Sequence, residues 1–312
     1  MKTAPVVVAV VVSAVCSFGQ PLSGTVEGFT FDRPTGSIRP ILGRPGSAYL
    51  GPAEVAGLTF ASVAPGQRHS LAVRDGKLIL VSGLGHADRR EAELPTLEGV
   101  PDGAAWSRDG RTAVLYSREE GWLQVVRGLP QEPVAGERLE RGGIRQVVTD
   151  GESILALREG GLERMAFDGA ALAAPVFDEP VAIAVGRERG LVYAANRAGE
   201  ICEIDFDAQR IGRYAETAHP VRDLHLVEAR DGRPLLAVLH ADRLAVWDPQ
   251  TWEAVQSSAL DFAADSLLPL GATSIALGGR REDGEPLWVA DSGEVLFVPA
   301  PKPEPASEVR HW

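Results

Sequence analysis

The chain is short of cysteine, aromatic residues and positive charge, and each shortage removes a class of protein. Its 312 residues contain two cysteines, Cys16 and Cys202. Cys16 falls in an apolar N-terminal stretch, so a processed chain holds one thiol, which excludes an internal disulfide and any CxxC metal or redox site. Cys202 reads as a structural thiol, because Glu203 and Asp205 beside it raise a thiol pKa where a nucleophile needs it lowered. Aromatics make up 6% of the residues, so the core has to be built from Val, Leu, Ile and Ala. The formal charge is −12, or −13 once Lys2 is removed (30 basic against 43 acidic residues), and no basic run offsets it. That balance sets aside nucleic acid and anionic membranes as partners. No segment of usable length has a helical period, which leaves an all-β chain.

What the sequence does contain is a repeated hairpin. Residues 191–196 and 201–206 are two short runs of β-branched, Leu, Ala and aromatic residues around a polar break, and residues 234–239 and 243–248 repeat the arrangement. Four more copies surround Asp75-Gly76, residues 118–121, residues 158–161 and residues 280–285. The first runs of the six begin at Ser70, Thr112, Ser153, Leu191, Pro234 and Ser274, in steps of 42, 41, 38, 43 and 40 residues. This is the period of a β-propeller blade. Each copy opens on a short segment suited to the propeller axis: residues 59–63, 104–107, 144–148, 181–185, 223–227 and 266–270. The outermost segments, such as 91–94, 210–215 and 253–257, carry more charge, as exposed sheet edges do.

The ends stand outside the repeats. Lys2, the eleven apolar residues 5–15 and Ser17-Phe18-Gly19 follow the order of a secretory signal cut after Gly19, and the run is too short to span a bilayer. Lipidation at Cys16 is the variant of that reading, though Val15 before it is larger than such a signal normally tolerates. The chain then divides into a signal peptide (1–19), one propeller domain (20–300) and a Pro-rich flexible tail (301–312), exported to the periplasm or the medium and not held in the membrane. Residues 28–31 and 37–42 form an extra hairpin around Asp32-Arg33-Pro34-Thr35-Gly36. A strand from one terminus of a propeller can complete the blade made by the other, and this hairpin is the closing piece. Six blades result, or seven if residues 28–42 and 294–298 make a blade of their own.

Ser107-Arg108-Asp109-Gly110, Tyr193-Ala194-Ala195-Asn196 and Leu244-Ala245-Val246-Trp247-Asp248 resemble the turns and strand endings of bacterial YVTN-type, NHL and WD-repeat propellers, over roughly residues 58–299. Residues 28–43 and 285–300 are similar to the ends of uncharacterised secreted propellers of soil bacteria. The resemblance implies a fold more than an activity.

The chemistry-bearing residues are scattered. The six histidines, His69, His86, His219, His225, His240 and His311, include no HExxH, and a metal set from His219, His225 and His240 competes with their roles as hydrogen-bonded core and turn residues. No catalytic, metal or cofactor residue is assigned and no cofactor is implied. Asp205 and Asp207 lack the rest of a calcium loop, Ser107 sits in a turn that its hydroxyl caps, and the single Asp32–Gly36 turn is not the repeated docking pattern of quinone-dependent propellers. One regularity remains: Arg74, Arg118, Arg158, Arg197, His240 and Arg280 close the second strands of successive repeats, at equivalent places on one rim. Carboxylates follow in nearly every turn, eight cationic groups against nine in all, so the rim offers charge pairing rather than a field. The reading is a secreted, non-catalytic binding or scaffolding module that takes a protein, peptide or glycan on this rim. The alternative is a propeller enzyme of lactonase or lyase type, whose acid–base groups would be Asp223, His225 and Asp265 at the channel.

Overall fold

A computed structural model describes residues 25–43, 47–95, 99–229, 231–270, 274–278, 284–289 and 295–299. Val26–Asp32 (β1), Ser37–Leu42 (β2) and Tyr49–Leu50 (β3) form a three-stranded sheet. Six four-stranded antiparallel blades follow. The first comprises Phe60–Val63 (β4), His69–Arg74 (β5), Lys77–Ser82 (β6) and Arg90–Glu93 (β7). The second is Gly103–Trp106 (β8), Thr112–Ser117 (β9), Trp122–Arg127 (β10) and Val134–Glu140 (β11). Ile144–Thr149 (β12), Ile154–Arg158 (β13), Gly161–Met165 (β14) and Ala171–Leu172 (β15) build the third. The fourth contains Pro180–Val185 (β16), Leu191–Asn196 (β17), Glu200–Asp205 (β18) and Arg210–Glu216 (β19). Asp223–Glu228 (β20), Pro234–Leu239 (β21), Arg243–Asp248 (β22) and Glu253–Ala259 (β23) make the fifth. The sixth is Ser266–Pro269 (β24), Ser274–Gly278 (β25), Gly284–Val289 (β26) and Val295–Pro299 (β27). The architecture is an all-β, six-blade propeller, and its second strands start within one residue of the sequence expectation.

Period-2 alternation places the core between blades rather than inside them. In β5, Leu71 and Val73 pack toward the second blade while Ala72 packs toward the three-stranded sheet. In β9, Ala113 and Leu115 face the first blade and Val114 faces the third. The same division recurs between the third and fourth, fourth and fifth, and fifth and sixth blades. Strands covered on both faces read as near-continuous apolar runs, which is why Ile154–Leu157 and Leu235–Leu239 contain no charge. The fourth strands lie outermost, and all four residues of β7 are exposed.

The N-terminal hairpin closes the ring, but not by lending a strand to the last blade. Val295–Pro299 supplies the fourth strand of the sixth blade, and β1–β3 stand between that blade and the first as a separate sheet. Phe29, Ile38, Val55 and Leu58 pack on the first blade, and Ile41, Ala48 and Leu50 pack on Leu270, Ala276 and Val298 of the sixth. This sheet is also inverted. Gly28, near the start of β1, lies against Gln67 and Leu270, which follow the inner strands β4 and β24. Gly36, beyond the end of β1, meets Leu58, which precedes β4. β1 thus runs opposite to the inner strands beside it, as a hairpin that is not a copy of the repeat is free to do. Gly36 is at φ +57°, and a Cβ there would stand 2.7 Å from the Leu58 carbonyl oxygen, so the turn requires glycine.

Candidate functional site: the two ends of the central channel

The meander within each blade puts first-to-second and third-to-fourth loops on one face, called upper here, and second-to-third turns and blade connections on the lower face. The arginines singled out from the sequence lie at the lower turns, and most are engaged within their own blades. Arg74 Nη1 donates to Glu91 Oε2 at 2.6 Å, and Arg158 Nη1 to Glu163 Oε2 at 2.7 Å. Arg118 binds Asp102 through its Nε at 3.0 Å and its backbone N–H at 2.7 Å. Arg197 is exposed and makes no ion pair among the described residues. His240 is turned inward, 2% exposed, with Nδ1 3.1 Å from the Pro220 carbonyl and its ring 5.8 Å from that of His219. Burial, followed by the neighbouring His219 and Arg243, holds its pKa down against the opposing Pro220 bond. Arg280 lies outside the described residues.

Other local readings hold in detail. Ser107 Oγ accepts the Thr112 N–H at 2.9 Å and donates to Asp109 Oδ1 at 2.7 Å, so it caps its turn. Asp205 Oδ1 accepts the Ala208 N–H, again turn chemistry. Cys202 is buried, and burial, with Glu200 and Glu203 behind it, pushes its thiol up to about 12.

At the upper end of the channel the first-to-second-strand loops of the second to fifth blades converge. Ser107, Arg108, Asp109 and Thr112 of the second blade and Asp150, Gly151 and Glu152 of the third line a recess of about 560 Å³. Arg189 of the fourth blade pairs with Glu152, and Arg187 Nη1 donates to the Gly232 carbonyl of the fifth at 3.1 Å. Arg108 reaches farthest. Its Nη2 pairs with Glu228 of the fifth blade, two blades beyond its neighbour, so one ion pair crosses the mouth. The Arg108 side chain is 50% exposed. Burial of the rest, and then the adjacent Arg187 guanidinium, lower its pKa.

Toward the lower end a second cross-blade link is built from different groups. Gln146 of β12 forms a two-way bond with Ile183 of the fourth blade, accepting its N–H at 2.9 Å and donating to its carbonyl at 3.1 Å. Its amide nitrogen also donates to Asp223 Oδ1 of the fifth blade at 2.9 Å. Asp223 accepts the Leu224 N–H at Oδ1 and, at 2.7 Å, the Leu267 N–H of the sixth blade at Oδ2. Four consecutive inner strands are thereby tied through two side chains. Burial is the main reason that Asp223 is pushed up to about 7; the three N–H donors work against it, and Asp265 adds repulsion. His225, two residues along β20, is lowered to about 4 by burial alone, with no charged partner contributing. Tyr116 approaches the same end because Gly103 of the inner strand leaves room: a Cβ on Gly103 would fall 2.2 Å from the phenol ring carbon. Burial pushes the Tyr116 phenol up to about 12, with smaller effects from Arg118, Asp102, Asp223 and Arg33.

Of the residues brought together here, Asp223, His225, Asp265 and Ser107 were singled out in the sequence and Arg108 only as part of a turn, whereas Gln146, Arg187 and Glu228 were not. Gln146 carried a signal: it is an amide in the otherwise strand-like run Ile144–Thr149. Among the described residues no group of three or more His, Cys, Asp or Glu is placed to hold a metal ion. No helix among them is long and apolar enough to cross a membrane.

No family model matches the chain, and no curated protein matches it in sequence. Solved structures do. A functionally unknown protein from Desulfotomaculum acetoxidans DSM 771 aligns over 87% of this chain and 95% of its own, with a TM-score of 0.60 and 13% identity. The WD40 domain of Pan2 from Neurospora crassa aligns over 65% of this chain and 66% of its own, with a TM-score of 0.50 and 11% identity. At such identities the likeness is one of fold, and the chain stands as a β-propeller with an uncharacterised structural neighbour and a WD40 neighbour.

Proposed function

We propose that the chain is a non-catalytic binding module of the secreted bacterial repeat-propeller kind, and that it takes its partner at the upper mouth of the channel. The observation that carries this reading is the recess between the second and third blades, where loops from four blades converge on polar groups beside an ion pair spanning the mouth. The recess is lined by polar and charged side chains, so recognition there would rest on hydrogen bonds and charge pairing. A protein or peptide segment is the partner class that fits, because mixed-sign groups fix orientation by charge pairing rather than by attraction at a distance. The lower rim is a second surface in this reading, with Arg197 an exposed cation that makes no ion pair among the described residues. The order of Lys2, the apolar run and Ser17-Phe18-Gly19 supports action outside the cytoplasm.

The test is capture of a partner by the immobilised protein. Filling the recess with Glu152→Trp should abolish capture and leave the melting curve in place, whereas Arg158→Glu with Arg197→Glu on the lower rim should leave capture intact. Loss in the rim variant and retention in the recess variant would move the site to the lower face. A second reading, a channel enzyme of lactonase or lyase type, is favoured by one observation, the Asp223 carboxyl raised to about 7 near Asp265 and Tyr116. Turnover of a lactone by the wild type, lost in Asp223→Asn, would establish it.

A further inference from the structure

The upper mouth contains a guanidinium whose partner can be exchanged. The carboxylates that line the recess are occupied by donors from their own or an adjoining loop. Asp109 Oδ1 accepts Ser107 Oγ at 2.7 Å and the Arg111 N–H at 3.0 Å. Asp150 Oδ1 accepts the Glu152 and Ser153 N–H groups at 2.9 and 2.7 Å, and its Oδ2 is 3.1 Å from Ser153 Oγ. Glu152 holds Arg189. Arg108 differs, because it lines the recess yet its ion-pair partner comes from the far side of the channel. The buried Oε1 of Glu228 in turn has no partner among the described residues besides Arg108. The arginine end of the pair is half open to solvent, so a competing carboxylate can reach it, and a guanidinium offers a fork of donors that one carboxylate oxygen does not fill.

We infer that Arg108 is the anchor of the recess, and that it takes a carboxylate of the bound peptide by releasing Glu228. This rests on the upper-mouth reading above and names the chemistry of the partner. The incoming group would repeat the Glu228 contact in two-pronged form, the arrangement that makes arginine selective for carboxylates. Arg187 alongside adds a second positive charge, and each of the lining carboxylates already accepts at least one donor of the protein. Glu228 then acts as a resident competitor: with the recess empty it holds the latch shut, and ligand affinity is set against it.

The carboxylate can come from a Glu side chain or from a chain terminus, and three peptides separate the cases. They are acetyl-Gly-Glu-Gly-amide, acetyl-Gly-Gln-Gly with a free terminus, and acetyl-Gly-Gln-Gly-amide, titrated by NMR against the wild type, Arg108→Ala and Glu228→Gln. At least one of the two carboxylate peptides should bind about tenfold more tightly than the neutral one, and which does so identifies the source. Arg108→Ala should erase the difference. Glu228→Gln should tighten carboxylate binding several-fold, a gain that a merely structural ion pair would not give. Equal binding of all three peptides, or weaker or unchanged binding in Glu228→Gln with a native melting curve, overturns the inference. Preference for acetyl-Gly-Lys-Gly-amide also overturns it. Should Glu152→Trp still block capture under those outcomes, the site would stand and only its chemistry would be wrong.

Discussion

The two ends of the channel are crossed by side-chain links of opposite character. At the lower end Asp223 and Gln146 bind backbone groups of three blades, so each bond made by the side chains also fixes an inner strand. At the upper end Arg108, half exposed in a loop, pairs with Glu228 at the end of β20, and among the described residues neither side chain has another partner. A part-buried link to the backbone stabilises because leaving its donors unmade is costly, whereas an ion pair whose arginine is half exposed is open to a competing anion. The same ring therefore has a fixed end and an end that can change partners.

The largest expected effect comes from breaking the fixed end. Asp223→Ala leaves the Gln146 amide and the Leu267 and Leu224 N–H groups to channel water, and should cost about 3 kcal/mol, or roughly 6–9 °C in Tm. Thermal denaturation followed by circular dichroism reads this directly.

A pH series sharpens the comparison. The Asp223 carboxyl is raised from 3.8 to about 7 on folding, so its contribution is full below pH 3.8 and is lost as pH rises through about 7. The His225 imidazole is lowered from 6.5 to about 4, so its contribution is present above pH 6.5 and is lost as pH falls through about 4. The two oppose each other between pH 4 and 6.5 and differ above it, where only Asp223 still titrates. Measured against Asp223→Asn as reference, the wild type should lose about 1 kcal/mol between pH 6.5 and 8, about 2 °C in Tm. A wild type that gains stability relative to Asp223→Asn as pH rises would reverse the assignment.

The smallest effect belongs to the upper end. Glu228→Gln should change stability by less than about 1 kcal/mol. What difference there is should shrink on adding salt, since the Debye length falls from about 8 Å at physiological ionic strength to about 3 Å at 1 M.

The fold was legible because its core lies between sheets. Strands covered on both faces write apolar runs, turns write Asp, Gly and charge, and the roughly 40-residue spacing of the turns counts the blades. The closing sheet was legible as a piece but not in its placement, because the composition of a hairpin such as residues 28–42 does not depend on which way up it is inserted. Residues 43–57, rich in Gly and Pro, hid the short strand Tyr49–Leu50. The site was harder to see for a physical reason. Arg74, Arg118 and Arg158 recur at equivalent positions and so stand out, yet nearby carboxylates satisfy them. Arg108, Glu228 and Gln146 occur once each and act on blades up to 120 residues away in sequence, a pairing that only ring closure creates.

Amide hydrogen exchange on the unliganded protein measures the difference between the two ends most directly. The Ile183, Leu224 and Leu267 amides, which donate to Gln146 and Asp223, should exchange at rates near that of global unfolding in the wild type and much faster in Asp223→Ala. The loop amides of residues 108–111, 150–152 and 231–233 should exchange orders of magnitude faster, and Glu228→Gln should leave that rate nearly unchanged. Equal protection at the two ends, or rapid exchange at Ile183 and Leu267 in the wild type, would contradict a channel fixed at one end and open to exchange at the other.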